Sequence, residues 1–484
     1  MKQPGSFLSS QHKAAVSLLV AGALLSGCNT LSQDSGIAFV ASIAANDLKK
    51  DVAVIATPEQ AAQIQSRVDE LLRKPLTADA AVQIALLNNR GLQAAYNALG
   101  IAEAEMISAS LPPAPAVSVG RLWNRFELEI ERRIVGNILA LLTLPARTSI
   151  AADRFEQAKL RAAEATLRLA AETRRNYYRA VAARQLAAYL DQSKSAAETA
   201  AKLSRRLGET GAMNKIDQAR EQSFYAEITA QLGMARQRMV VERERLVRSM
   251  GLWGRNLSFV LPGALPPLPR RPYELPEIEV EAIARRLDVQ SSRIELTVLA
   301  KTYGLTQASR FINLLDLVGI GKTIQDKETG EKFRVRGYEL ELQVPIFDFG
   351  ETRVRMAEET YKQAVNRLTE KAVNARSEAR EAYKRYRSAY DIARHYRDEV
   401  IPLRKIISDE TQLRYNAMLI DVFGLLTEAR QRLAINNQAI EAQRDFWLAT
   451  VDLQTAVTGG GLGGGSAAET IAAATPSDGG AAGH

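Results

Sequence analysis

The sequence predicts a mainly helical protein with a small β part, built as two tandem repeats of long helical hairpins plus four strands. Two stretches of roughly 50 and 60 residues lack both glycine and proline and have the spacing of coiled-coil helices. Four other segments alternate apolar and polar residues, as strands do. The order of helix, two strands and long hairpin occurs in residues 75–260 and again in 276–457, on either side of a proline-rich linker at 261–275.

The N-terminus is typical of a lipoprotein signal peptide spanning residues 1–27. The apolar segment 14–25 follows basic residues and is too short to span a bilayer, but has the length of a signal-peptide core. Cys28 is the only cysteine, and its place after Gly27 resembles a bacterial lipobox, in which the thiol is lipidated. Three acyl chains exceed what stable attachment needs, so we expect residues 28–74 to form a lipid-anchored arm. Asn29 in place of aspartate indicates the outer membrane.

Composition excludes several kinds of site. Lipidation of Cys28 leaves no thiol for a disulfide or a metal, and the only histidines are His12, His395 and His484. We therefore expect no catalytic residues, no metal site and no cofactor. The formal net charge is +8, but lysine and arginine are mixed with acidic residues along the helices. That mixture is typical of solvated helix faces and does not indicate a nucleic-acid partner.

The first repeat starts with a predicted helix from Thr77 to the proline stop after Leu111. Strands are predicted over 116–123 and from Phe126 toward Leu144, where the residues alternate with period two. The glycine-free stretch 146–207 predicts a helix of about 90 Å at 1.5 Å per residue. A break follows it, and a return helix is predicted from about Asn214 to Met250.

The second repeat follows the same order. An opening helix is predicted from about Glu277 to Arg310, in which Arg286 has the place of Asn89 in the first repeat. Strands are predicted over 311–320 and 333–342, joined by a polar loop, and a long helix over 351–401 with an alanine-rich seam typical of a left-handed coiled coil. A hairpin break at 414–421 and a return helix to Val457 complete the repeat. Residues 458–484 are predicted to be a disordered, glycine- and alanine-rich tail.

Four strands of this length predict an oligomer. Strands of about ten residues suit a tilted membrane strand with one lipid face and one wet face. Four strands do not close a barrel, since the smallest closed barrels need about eight, and a bilayer does not tolerate an open sheet edge. Several protomers must therefore pool their strands. An anchored oligomer with a shared barrel and a long helical tube is a conduit.

The order and spacing of these elements resemble the TolC-type outer-membrane efflux proteins, in the lipoprotein branch that serves resistance-nodulation-division pumps. The resemblance covers about residues 75–457 and includes the Leu-Thr-x-x-x-Ala opening at Leu76 and the turn Val344–Gly350 between the last strand and the long helix. It implies a homotrimer with a 12-stranded β-barrel continuous with an α-helical tunnel. It also implies an inner-membrane pump and a periplasmic adaptor as partners.

The resemblance also implies functional residues at the two hairpin tips. Asp421 falls where the family has the first of two acidic residues around the periplasmic gate, and Gly424 takes the place of the second. The alternative for Asp421 is a helix cap. Six residues fall where the family's tips contact the adaptor: Leu207, Gly208, Thr210, Met418, Leu419 and Ile420.

An alternative function is a lipid-anchored periplasmic coiled-coil scaffold or adaptor without a pore. Adaptors usually carry one helical hairpin in a β-rich frame, whereas two hairpins dominate this sequence. We therefore favour the passive outer-membrane channel of a tripartite efflux system. The exported substrate stays open, because a passive tube conducts what its pump delivers.

Overall fold

The computed structural model describes Ser32 and residues 34–459. The predicted signal peptide, Cys28 and residues 460–484 of the predicted tail lie outside the described residues. The chain divides into two compact units. The first contains residues 34–38, Asn97–Lys159 and Ser291–Leu368, and the second contains Phe39–Tyr96, Leu160–Gln290 and residues 369–459.

Very long helices dominate the chain. In order, the α-helices are α1 (Ile37–Ile43), α2 (Pro58–Leu72), α3 (Ala78–Asn88), α4 (Arg90–Ser110), α5 (Ile138–Leu142), α6 (Leu144–Glu209), α7 (Lys215–Met250), α8 (Ile278–Arg285), α9 (Leu287–Ala308), α10 (Glu351–His395), α11 (Ile401–Asn416) and α12 (Val422–Thr458). The strands are β1 (Ala116–Trp123), β2 (Glu127–Asn137), β3 (Leu314–Asp326) and β4 (Lys332–Gln343). Within the described residues, no helix is both long enough and apolar enough to cross a membrane.

The predicted N-terminal arm is helical in part. Helices α1 and α2 lie within it, and α1 is followed directly by a π-helical turn, Ala44–Leu48. Thr57 begins α2 with a capping box, because its side chain accepts a hydrogen bond from the Gln60 backbone while the Gln60 side chain accepts one from the Thr57 N–H. Pro58 follows at the first helical position, where its missing N–H costs nothing.

Each opening helix is broken near its start, which corrects the prediction of one continuous helix in each repeat. Asn89 and Arg286 occupy the breaks with ψ of 117° and 120°, and their N–H groups both donate to the carbonyl four residues back at 2.9 Å. The Asn89 side chain then accepts from the Leu92 N–H at 3.1 Å, so it caps α4. The two residues that the sequence places in equivalent positions therefore carry the same break.

The linker between the predicted repeats is extended, as its prolines predict, and it is packed against the helices of the second unit. Leu261 and Leu265 are buried. Its carbonyl groups accept hydrogen bonds from helix side chains: Trp447 Nε1 donates to Pro266 O at 3.0 Å, and Tyr390 Oη donates to Pro269 O at 3.1 Å. These bonds satisfy backbone groups that have no partner in a ladder or a helix.

The seam predicted for the second long helix is largely buried in the second unit. Its buried positions in α10 are Ala375, Ala379, Ala382, Tyr386 and Ala393. Between the last two, Tyr390 is buried at 2 % exposure and Ala389 is only half-buried, so the seam shifts by one residue there.

The second long helix continues past Pro402 to Asn416, beyond the end of the predicted span 351–401. Its two parts, α10 and α11, are joined without a gap by a π-helical turn, Tyr396–Val400. Proline has no N–H and its ring crowds the preceding turn of a regular α-helix. The Ile401 N–H bonds to the carbonyl of Tyr396, five residues back, so the wider turn directly precedes the proline.

The four described strands form one antiparallel sheet in the order β1-β2-β3-β4. Strands β1 and β4 are its edges and are exposed along their whole length. Strand β2 ends at Asn137 and does not continue toward Leu144, because the Asn137 side chain accepts from the Ala140 N–H at 2.6 Å and begins α5. Strand β3 runs on to Asp326, so the predicted loop from Gly321 is shorter than expected.

The two faces of the sheet differ in charge. Directly opposed residues of antiparallel strands lie on one face, so the register sorts the side chains into two sets. We call the first the apolar face; in the half of the strands remote from the hairpin loops it carries Val117, Ile134, Leu317, Tyr338 and Leu340. The acidic face carries all the acidic residues of the described strands: Glu127, Glu129, Glu131, Asp316, Asp326, Glu339 and Glu341.

The turn from β4 into α10 requires a glycine. Gly350 has φ of 73°, and a β-carbon there would collide with the carbonyl of Arg310. Asp348 accepts a hydrogen bond from the Gly350 N–H at 3.0 Å, and its other oxygen accepts one from the Thr352 hydroxyl. Phe347, in the same turn, is 97 % exposed. This turn is the motif on which the family resemblance partly rests.

Candidate functional site

The first hairpin closes in a Schellman motif at the end of α6. Gly211 has φ of 76°, its N–H donates to Gly208 O at 3.1 Å, and the Ala212 N–H donates to Leu207 O at 2.8 Å. Asn214 then caps α7 by accepting from the backbone N–H three residues on, at 2.8 Å. Leu207 and Gly208 therefore lie at the tip, as the sequence predicts.

Gly208 and Thr210 contribute differently to this tip. The Gln218 side chain lies where a β-carbon on Gly208 would stand, and its Nε2 donates to Met213 O at 3.0 Å. A side chain at position 208 therefore displaces Gln218. Thr210 is exposed, and its hydroxyl donates to Leu207 O at 3.0 Å.

The second hairpin closes in the same motif at the end of α11. The Leu419 N–H donates to Arg414 O at 2.9 Å, and the Met418 N–H donates to Tyr415 O at 3.0 Å. Met418 has φ of 60° and occupies the place that Gly211 has in the first hairpin. The position-by-position equivalents of Leu207 and Gly208 are therefore Arg414 and Tyr415, upstream of the second set of predicted adaptor residues.

Met418→Gly is expected to stabilise the protein. The left-handed conformation costs a residue with a β-carbon about 1 kcal/mol, and glycine adopts it freely. Met418 is 93 % exposed, so its truncation removes little buried surface. We expect the free energy of unfolding to rise by about 1 kcal/mol, seen as a higher thermal midpoint in detergent. Leu419→Gly, one residue on, is the matched control and is expected not to stabilise; an equal gain in both variants would contradict the assignment.

Asp421 lies at the second tip and caps α12. Its Oδ1 accepts a hydrogen bond from the Gly424 N–H at 2.9 Å, with φ and ψ of −81° and 173°. The first hairpin has Asn214 in the equivalent place. The helix-cap alternative is thus present in the structure, and the gate role of Asp421 stays a prediction.

A groove of about 590 Å³ lies between the two hairpins, behind their tips. Its walls are largely apolar and include Leu207, Phe224, Tyr415 and Leu426. Two cation–π contacts join the hairpins beside it: the Arg220 guanidinium lies 4.7 Å from the Phe423 ring, and that of Arg430 lies 5.1 Å from the Phe224 ring. The groove is therefore bordered by both hairpins of the second unit.

Solved structures share this architecture. No protein-family model matches the chain, and no curated protein matches it. CmeC, an outer-membrane channel of Campylobacter jejuni, is similar with a TM-score of 0.66 at 16% identity, over 89% of this chain and 94% of CmeC. The open MtrE outer-membrane channel of Neisseria gonorrhoeae gives 0.65 at 15% identity, over 78% and 88%. CusC, whose structures describe transmembrane channel formation, gives 0.66 at 15% identity, over 79% and 92%.

The chain has the fold of these outer-membrane channels. The TolC-type resemblance seen in the sequence is confirmed for the fold, which is mostly helical with one small four-stranded sheet in the described residues. In both halves of the chain, a pair of strands is followed by one long helical hairpin, and the two hairpins have similar lengths. The identities are low, so the likeness identifies the architecture of this chain and not its activity.

In this channel fold, two buried glutamates line the groove from equivalent places that the sequence analysis missed. Glu221 and Glu428 each follow the cap of their helix by seven residues and are 2% and 7% exposed. One carboxylate oxygen of each has no hydrogen-bond partner among the described residues. The second Glu428 oxygen accepts from Arg404 at 2.8 Å. Burial raises the pKa of Glu221, and the positive charge of nearby Arg430 acts in the opposite direction. Their equal spacing from the caps is the sequence signal that identifies them.

Proposed function

We propose that the protein is the outer-membrane channel of a tripartite efflux system and conducts substrates passively as a homotrimer. One observation carries the proposal: the sheet has two unpaired edges, and its exposed apolar face has no acidic residue in the described strands. Open edges invite pairing in water and are not tolerated in lipid. Three copies supply twelve strands, which is enough to close a barrel. The channel fold supports the same arrangement.

The proposed partners are a periplasmic adaptor and an inner-membrane pump. Met418 and Leu419 are 93% and 74% exposed at the second tip, and the groove behind it is largely apolar. Exposed apolar residues beside an apolar groove suit the apolar stripe of a helical hairpin. We propose that the adaptor binds the six tip residues that the sequence singles out, and that Cys28 carries the lipid anchor of the outer-membrane protein.

Ion conductance across a planar lipid bilayer tests the pore. The purified lipidated protein is expected to produce discrete conductance steps, because a closed barrel joined to a tube offers a continuous aqueous path. A scaffold without a pore produces none. A well-folded oligomer that never conducts would rule out the channel and leave the scaffold alternative.

Asp421→Asn is expected to weaken the block of this conductance by divalent cations added on the periplasmic side. Three carboxylates around one axis attract cations, and asparagine removes the charge. The helix cap survives, since asparagine caps as well as aspartate and Asn214 does so in the first hairpin. Asp421→Ala removes both functions and is expected to cost about 1 kcal/mol of stability as well. If Asp421→Asn leaves the block curve unchanged, Asp421 is a helix cap alone.

A further inference from the structure

The apolar face of the sheet carries a group of cations at the end near the hairpin loops. The register places five of them there, which we call the basic cluster: Arg121, Arg132, Lys332, Arg334 and Arg336. Arg121 and Arg334 lie in one row across the four strands, and Arg132 and Arg336 lie in the next row. Lys332 lies in the row nearest the loops, together with Trp123, which is 70% exposed.

The side chains of the basic cluster are exposed and form no ion pair with any described residue. The opposite face differs: Lys322 Nζ lies 2.9 Å from Glu129, and the Arg133 guanidinium lies 3.3 Å from Glu339. The cations of the acidic face thus have acids beside them, whereas the described strands provide none on the apolar face. Like charges in adjacent rows repel, and an anion from outside the sheet would relieve that repulsion.

The basic cluster directly adjoins the apolar part of the same face. Along β4, Leu342, Leu340 and Tyr338 are 51%, 61% and 86% exposed, and Arg336 is the next residue on that face. One such step is about 7 Å along a strand. If the apolar part faces hydrocarbon, the next rows toward the hairpin loops, which carry the basic cluster, lie at the depth of the lipid headgroups. Trp123 beyond them is typical of that interface.

We propose that the basic cluster binds the phosphate groups of anionic lipids in the outer leaflet. This rests on the proposed function, because it requires the sheet to be in the membrane with its hairpin loops outward. Guanidinium groups bind phosphate oxygens in a bidentate fashion. Each cation near an anionic lipid surface strengthens binding about fivefold, and in a trimer the cluster is present three times.

Lipid retention by the purified protein tests this inference. The protein is exchanged into mixed micelles with phosphatidic acid or with diacylglycerol of the same acyl chains, and bound lipid is counted by native mass spectrometry. The wild type is expected to retain phosphatidic acid at least about tenfold better than diacylglycerol. The quadruple variant Arg121→Gln, Arg132→Gln, Arg334→Gln and Arg336→Gln is expected to lose that preference. Arg133→Gln, next to Arg132 but on the acidic face, is the matched control and is expected to keep it.

Three results would overturn the inference: a wild type without a preference, a quadruple variant that keeps it, or an Arg133→Gln variant that loses as much. If the quadruple variant does not assemble, the double variant Arg334→Gln with Arg336→Gln on the edge strand gives the same test, with two charges removed instead of four. Conductance is recorded on each preparation. A protein that never conducts contradicts the proposed function, whereas a conducting trimer without phosphate preference contradicts only the basic-cluster inference.

Discussion

Leu340→Arg is expected to abolish insertion into the outer membrane, whereas Glu341→Arg leaves insertion intact. Leu340 is 61% exposed on the apolar face, where no side chain of the described strands can neutralise an arginine. An arginine facing the middle of the bilayer costs about 2–4 kcal/mol, and a trimer contains it three times. Glu341 is the next residue of the same strand and lies on the acidic face. An arginine at 341 therefore has a similar depth but a polar environment.

The measurement is the fraction of each variant recovered in the outer-membrane fraction as a folded oligomer. We expect most of the Leu340→Arg protein to be degraded or aggregated and Glu341→Arg to match the wild type. Recovery of both variants at the level of the wild type would contradict the two-faced sheet. Loss of both would indicate that β4 tolerates an arginine at neither position, and would leave the faces unassigned.

Gly208→Glu combined with Thr210→Glu is expected to abolish export while insertion and conductance persist. A side chain at 208 displaces Gln218 from the tip, and the two carboxylates add negative charge to a surface proposed for the adaptor. Thr210 is exposed, so its replacement disturbs no core. The tips are remote from the strands in sequence, and the barrel is proposed to form from the strands alone. Docking, and not folding, is therefore the step expected to fail.

Gly233→Glu provides the matched control for the tip variant. Gly233 lies in α7 of the same hairpin, is exposed, and has open space around the position of a β-carbon. Export is measured in cells that contain the protein's own pump and adaptor, as their resistance to a compound that this pump exports. Docking is measured as cross-linking of the protein to that adaptor. Unchanged export by the double variant would contradict the assignment of Gly208 and Thr210 to the adaptor contact. Equal loss in Gly233→Glu would mean that added charge anywhere on the hairpin is harmful.

The elements governed by local sequence were predictable. Strand β1 occupies the predicted residues 116–123, because alternation and flanking turn residues define it without help from the fold. The long helix α6 extends two residues beyond each end of the predicted span 146–207. The hairpin tips follow from Gly211 and from the capping residues Asn214 and Asp421, whose chemistry acts within one turn of helix.

Features that depend on distant partners were not predictable. Strand β3 continues through Gly321 because it is paired on both sides, with Arg132 on β2 and Arg336 on β4, and that support is invisible in a local window. At its break, Arg286 forms a bidentate pair with Asp288 and a bond to Glu378, and that last partner lies 92 residues away in the chain. The charge segregation of the sheet emerges only when the register is known.

The protein mass of the detergent-solubilised mature chain, measured by light scattering with the detergent contribution subtracted, distinguishes a trimeric channel from a monomer. The proposed channel predicts three times the mass of one chain, since two further copies supply the eight strands that a single four-stranded sheet lacks for a twelve-stranded barrel. A stable monomer would contradict the proposed channel, because four strands with open edges would then persist alone and no barrel would exist.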